Sequence, residues 1–323
     1  MHSISKVQLS NDIAQNIAAA HFGEQARLCA FTELEEGYFN AAALLELEGG
    51  LKCVLKAAPP DSLRVLRYEK NIMKAEVKVM RMVKAQTGVP CPKIYCYDTS
   101  HRLLESDYFL MEYLPGTPFH RLRHELPASD QAEIERAMGR MARQINTITG
   151  PAFGYFAQPE ASETGWKTCF GNMLRGLLLD GWEAKVALPL PYEALFQRLE
   201  AQFGVLDGVD TPRLVHWDLW EGNVLVDPAT RRVTGLIDYE RALWGDPLME
   251  NIFYNLDADS NFMQGYGAPL LATPEQRLRR LLYNAYFFLV LIIECPFRQY
   301  RTNDQENWAR PKLEEVLERL KKN

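Results

Sequence analysis

The stretch from Leu214 to Asp238 constrains the architecture of this chain more than any other. It reads Leu214-Val215-His216-Trp217-Asp218-Leu219-Trp220-Glu221-Gly222-Asn223-Val224-Leu225-Val226-Asp227, then a Pro228-Ala229-Thr230 turn, then Val233-Thr234-Gly235-Leu236-Ile237-Asp238. The apolar runs 224–226 and 233–237 flank a short turn, so they pair as antiparallel strands. Asn223 precedes the first run and Asp238 follows the second, and the pairing brings both to one end of the hairpin. An amide oxygen and a carboxylate can converge there on one hard cation; Mg²⁺ takes such oxygen ligands and completes its shell with water and substrate phosphates. Asp218, on the incoming loop, lies close to that metal without being needed as a ligand.

The rest of the chain divides into two parts of different class. The first third reads as strands with one helix, and the remainder mainly as helices. Runs 42–48 and 51–56 are separated by Gly49-Gly50, a pair that supplies the positive φ angles of a tight hairpin. A helix over 68–85 carries Met73, Glu76, Met80 and Val83 on one stripe and stops before the Gly88-Val89-Pro90-Cys91-Pro92 breaker. A carboxylate facing a core is costly unless a cation meets it, so Glu76 calls for a partner. Lys56, at the end of the second hairpin strand, is the first choice; Glu69, earlier on the stripe, is the runner-up carboxylate. A strand over 108–113 closes the first part. Ser129, Asp130 and Glu133 mark the start of a helix, and others are expected over 166–182, 192–203, 274–295 and 311–321.

At these residues the chain resembles the aminoglycoside phosphotransferase and choline kinase group, relatives of the protein kinases. His216, Asp218, Asn223 and Asp238 follow the kinase order of His-x-Asp, four residues, Asn, then a metal-binding Asp. The resemblance implies an α+β, protein-kinase-like bilobal fold, with a small β-rich lobe over 1–111, a hinge over 112–117 and a larger helical lobe over 118–323. It implies that Asp218 accepts the proton of a substrate hydroxyl, that His216 braces the loop, and that Asn223 and Asp238 hold Mg²⁺. Lys56 stands where a kinase lysine meets the α- and β-phosphates of ATP. Gly37, in Glu36-Gly37-Tyr38-Phe39-Asn40, sits in the turn over those phosphates. Met111 guards the adenine pocket, and the backbone of Glu112 to Leu114 bonds the base. Gly245-Asp246-Pro247 with Glu250 resembles the segment that follows the metal Asp in this group, where Asp is more usual than Glu.

The implied reaction is transfer of the ATP γ-phosphate to a hydroxyl of a small molecule such as an aminoglycoside, an amino-alcohol or a sugar. A protein kinase and an inactive nucleotide-binding module are the alternatives. Against the first, Trp217 occupies the place of the arginine before the catalytic Asp, Asp246 follows Asp238 closely, and no Ala-Pro-Glu occurs. Against the second, Lys56, Asp218, Asn223 and Asp238 are all present. Trp217 and Trp220 have two readings, core packing or a wall of the substrate site. Glu250, Asp257 and Asp259 near Phe253, Tyr254 and Phe262 suit a cationic acceptor; solvated acids and core aromatics are the other reading.

Composition narrows the partners. The 323 residues carry a net charge of −6 with both signs spread along the chain, without the basic stripe that nucleic acid selects. The six cysteines show no CxxC pair or zinc spacing, which suits reduced thiols in a cytoplasm. The apolar segment 281–293 is too short to cross a membrane and is expected in the core. No obligate protein partner is evident.

Overall fold

The computed structural model describes residues 6–34, 39–60, 62–250, 257, 259–300 and 302–322. The Ser10 hydroxyl accepts the Ile13 N–H and starts helix α1, Asn11–Phe22. Strands β1 (Leu28–Glu33), β2 (Ala41–Leu47), β3 (Lys52–Ala57), β4 (Ile94–Asp98) and β5 (Tyr108–Glu112) form one antiparallel sheet in the order β1-β2-β3-β5-β4. The β2–β3 turn passes through Gly49 and Gly50 at φ 85° and 87°, where a side chain would be strained. Side chains alternate across the sheet. Leu45, Leu55 and Leu110 pack under α1, whereas Val54, Phe109 and Met111 share a cluster with Met73, Val77 and Met80 of α2, Ile72–Gln86.

That second cluster runs without a break into the helical half. After β6 (Thr117–Pro118) come α3 (Phe119–Leu122), α4 (Ala128–Ile145), β7 (Gly154–Tyr155), α5 (Trp166–Glu183) and α6 (Tyr192–Glu200). Strands β8 (Arg213–Val215), β9 (Val224–Val226), β10 (Val233–Leu236) and β11 (Leu243–Gly245) follow, then α7 (Asn261–Tyr266), α8 (Pro274–Ile293), α9 (Cys295–Arg298) and α10 (Asp304–Lys321). The expected hairpin is β9–β10, with Val224 opposite Leu236. It is extended by β6 on its other side, so the segment joining the two halves is stitched to the hairpin.

The segment 274–298 is long and apolar enough to cross a membrane, yet 78% of its most apolar window is buried inside the fold. It starts with a capping box in which Thr273 and Gln276 satisfy each other's backbone N–H groups, and it serves as the central core helix. Some expectations shift. The β-rich part has two helices where one was expected: α1, capped by Ser10, also packs on the sheet through Ala14 and Ile17. Helix α4 starts after Pro127, so Ser129 and Asp130 lie in its first turn and neither caps it. Helix α10 starts at Asp304 with Pro311 inside it; a proline in mid-helix reads from sequence as a first-turn residue.

Candidate active site

Strand β3, helix α2 and the end of β10 meet at Lys56. Its ammonium donates to both oxygens of Glu76, at 2.9 and 2.8 Å, and to Oδ1 of Asp238 at 2.5 Å, with Glu240 at 3.5 Å. Burial works against the charged lysine, but Asp238, Glu76 and Glu240 outweigh it and hold its pKa well above the usual value. Burial pushes the Glu76 carboxyl upward, opposed by Lys56, which grips both its oxygens. Desolvation also works against the charge of the partly exposed Asp238, yet Lys56 overrides this and keeps it ionised. Glu69 plays no part here. It lies in a separate 3-10 turn, Arg67–Glu69, and pairs with Arg298 of α9.

The loop between β8 and β9 sits against this cluster. His216 is fully buried; its Nε2–H donates to the Ile237 carbonyl at 3.1 Å while Nδ1 accepts the Asp218 N–H at 3.2 Å. Burial drives its pKa down to about 4, so the ring is neutral, as those bonds require. The Asn223 amide nitrogen donates to the Asp218 backbone carbonyl at 2.9 Å and to its carboxylate at 3.0 Å, which turns the Asn223 carbonyl oxygen away from Asp218. Burial raises the Asp218 carboxyl to about 7; Arg241 and the Asn223 bond oppose this, and the charges of Asp238 and Glu240 reinforce it. Trp217 and Asp238 adopt φ of 60° and 69°, costly for non-glycine residues and held by the packing around them. Glu250, 1% exposed, accepts the backbone N–H of His216 at 3.1 Å and of Leu219 at 3.3 Å.

The site therefore unites Lys56, Glu76, His216, Asp218, Asn223 and Asp238 from both halves of the chain. The sequence model of the APH phosphotransferase enzyme family matches residues 30–281. The chain belongs to that family. It is 26% identical over 232 residues to Probable ketoamine kinase slr1563 of Synechocystis, a match spanning 68% of this chain and 72% of that one. It is 24% identical over 235 residues to Probable acyl-CoA dehydrogenase IBR3 of Arabidopsis thaliana, of which it spans 27% of the length. In fold it is similar to the aminoglycoside phosphotransferase APH(4)-Ia, with TM-score 0.67, 18% identity and coverage of 96% of this chain and 99% of the other. The fold is α+β and kinase-like, and the chain is a small-molecule kinase.

In this phosphotransferase Met111 lies on β5 opposite Val54 and faces the α2 side of the sheet. The Glu112 N–H is engaged by the Lys93 carbonyl at 2.8 Å, and its side chain accepts the Lys93 N–H at 2.9 Å. Of the Glu112–Leu114 backbone expected to bond the base, the Glu112 donor is used within the sheet. Leu114 packs over Gly235, where an added Cβ would stand 2.6 Å from Leu114 Cδ1. Gly37, Phe253 and Tyr254 lie outside the described residues. Trp217 is core, between Tyr155 and Tyr286, whereas Trp220 is 38% exposed and stacks on His120. The cationic-acceptor constellation does not assemble among the described residues: Glu250 is turned onto backbone amides, Phe262 is in the core, and Asp257 and Asp259 are exposed. The residues missed from sequence are Glu240 and Arg241. The Asp238-x-Glu240 spacing, which puts two side chains on one face of an extended segment, was the available signal for the first.

Proposed function

We propose that this kinase transfers the γ-phosphoryl group of ATP to a hydroxyl of a small molecule of the aminoglycoside, amino-alcohol or sugar-like class. The observation that carries the reading is the convergence of the buried Lys56–Glu76–Asp238 cluster with the Asp218–Asn223 pair. The nucleotide lies between 1–111 and 118–323, with 112–117 as the hinge and Met111, the Glu112 carbonyl and Leu114 around the adenine. Lys56, braced by Glu76, meets the phosphates; Gly37 belongs to the turn above them.

The donor set suits Mg²⁺. The Asn223 carbonyl oxygen faces away from Asp218, which its amide nitrogen bonds, the Asp238 side chain is one-third exposed, and all available ligand atoms are oxygens. Asn223 and Asp238 would hold the ion, with Glu240 as a further carboxylate whose oxygen lies within 4.8 Å of those of Asp238 and Glu76. Bound Mg²⁺ supplies neutralisation of phosphate charge. Asp218 accepts the proton of the acceptor hydroxyl as its oxygen bonds to phosphorus and ADP leaves. A carboxyl at about 7 is matched to that task near neutral pH. His216 holds the loop through its two hydrogen bonds.

A screen of the purified chain for ADP production against aminoglycosides, amino-alcohols and sugars tests the reading. Acceptor-dependent ADP release with a phosphorylated product is expected. Release of ADP that no acceptor stimulates, with phosphate appearing on the protein itself, would overturn it.

A further inference from the structure

Arg241 has no task in the reaction as described so far, yet the fold places it from two directions. Along the chain it follows Asp238 by three residues, a span of about 11 Å at most. Across the fold its guanidinium stands 6.0 Å over the ring of Tyr68, and Tyr68 in turn meets Trp217, the residue before Asp218, edge-on at 5.8 Å. Arg241 therefore lies between the metal-binding end of the site and the base, where the transferred group has to pass. The electrostatics agree. Burial raises the Asp218 carboxyl, and the largest of the charges that act on it is Arg241, which opposes the rise.

The side chain is held at one end and open at the other. Nη2 donates to Glu294 at 2.9 Å, and Glu294, 1% exposed just past the end of α8, also accepts Nε2 of Gln305 at 2.8 Å. Nε and Nη1 have no hydrogen-bond partner among the described residues, and neither is sealed from solvent; the side chain keeps 14% of its surface exposed. A largely desolvated guanidinium with open donors suits the oxygens of a phosphoryl group, to which its hydrogen bonds are charge-assisted. Of the other basic groups at the site, Lys56 is engaged by Glu76 and Asp238, and burial keeps the His216 ring neutral.

We propose that Arg241 is a catalytic residue of this kinase, donating through Nε and Nη1 to the phosphoryl oxygens as the group passes from ATP to the acceptor. The bond from phosphorus to the ADP oxygen breaks as the acceptor oxygen bonds to phosphorus. The acceptor proton goes to Asp218, and Arg241 keeps its own protons throughout. Charge spreads over the phosphoryl oxygens in that transition state, so a fixed cation beside them lowers the barrier without tightening ground-state binding. Glu294 fixes the guanidinium and leaves its open donors to the substrate. The proposal rests on the kinase reading above; because it concerns the transferred group, it holds for any hydroxyl acceptor, water included.

Water as the acceptor makes the test independent of which alcohol the enzyme uses. Slow hydrolysis of Mg-ATP by the full chain is followed as ADP production, and Mg–AMP-PNP affinity is measured by calorimetry. Both are repeated on Arg241→Gln, Arg241→Lys and the double variant Arg241→Gln/Glu294→Gln. Arg241→Gln should lower kcat about hundredfold, the usual cost of one transition-state donor, with little change in Mg–AMP-PNP affinity. Arg241→Lys, which keeps the charge and loses the planar fork, should recover part of that loss. The double variant leaves no buried carboxylate unpaired, so it carries the test if Arg241→Gln fails to fold, and it should be equally slow. A normal rate in the double variant would show that Arg241 serves only to neutralise Glu294 and would overturn the proposal. A loss of Mg–AMP-PNP affinity as large as the loss of kcat, or a lysine variant no faster than the glutamine one, overturns it as well. Failure of the unaltered chain to bind Mg–AMP-PNP would instead sink the kinase reading itself.

Discussion

Replacing Asp218 by asparagine should abolish turnover and, at alkaline pH, stabilise the protein. The ionised Asp218 carboxylate is held half-buried near Asp238 and Glu240, which lifts its pKa from 3.8 to about 7. The folded protein therefore binds a proton that the unfolded chain releases between those values. The stability this contributes is complete below the unfolded pKa and is lost as pH rises through about 7. From about pH 5 to about pH 8 the unaltered protein loses two pKa units of this linkage, roughly 3 kcal/mol at 1.36 kcal/mol each. Water reaching a partly exposed carboxylate reduces that to roughly 1.5 kcal/mol. The amide in the Asp218→Asn variant would keep the shape without the titration. Differential scanning calorimetry of both proteins should find the Asp218→Asn advantage in Tm growing by roughly 2 °C between those pH values. A constant Tm difference across the range would refute the account of Asp218 as a carboxyl strained by burial and like charge. The same carboxyl predicts that kcat/KM rises with pH through about 7, as a base must be deprotonated to accept the hydroxyl proton.

Glu250→Gln would turn an amide N–H₂ toward backbone donors that now meet a carboxylate. It should lower unfolding free energy by about 1 to 3 kcal/mol in denaturant titrations and reduce kcat, with Mg-ATP affinity retained. Unchanged kcat would show that the loop keeps its shape without Glu250. Gly235→Ala would press on Leu114, so the KM for ATP should rise more than the KM for the acceptor in steady-state kinetics; equal effects would argue against Leu114 lining the adenine position. Asp246 follows Asp238 by only eight residues, and the connection ends in a buried cap held by Tyr283. The enzyme should therefore be active as purified from a bacterial host, which phosphatase treatment followed by an activity assay would check.

The sequence was most legible where chemistry and local structure pointed the same way. The β9–β10 hairpin and the Lys56–Glu76 pair could be read because strand pairing and the cost of a buried carboxylate both demanded them. Glu69 could not be separated from Glu76 by stripe alone; a break before Ile72 moved it onto a 3-10 turn facing Arg298, a partner 229 residues away. Glu250 looked like a ligand for a cation because sequence shows charge and not direction. In the fold its oxygens face the amides of the catalytic loop.

The central claim is that Lys56 and Asp238 make a metal-dependent site for the phosphates of ATP. Isothermal titration of ATP into the purified chain, with Mg²⁺ and then with EDTA, measures this directly, repeated on Lys56→Ala and Asp238→Ala. The account predicts Mg²⁺-dependent binding that each substitution weakens by about tenfold or more, the loss of one charge-assisted contact in a buried cluster. Affinity equal with and without Mg²⁺, or undiminished in either variant, would contradict it.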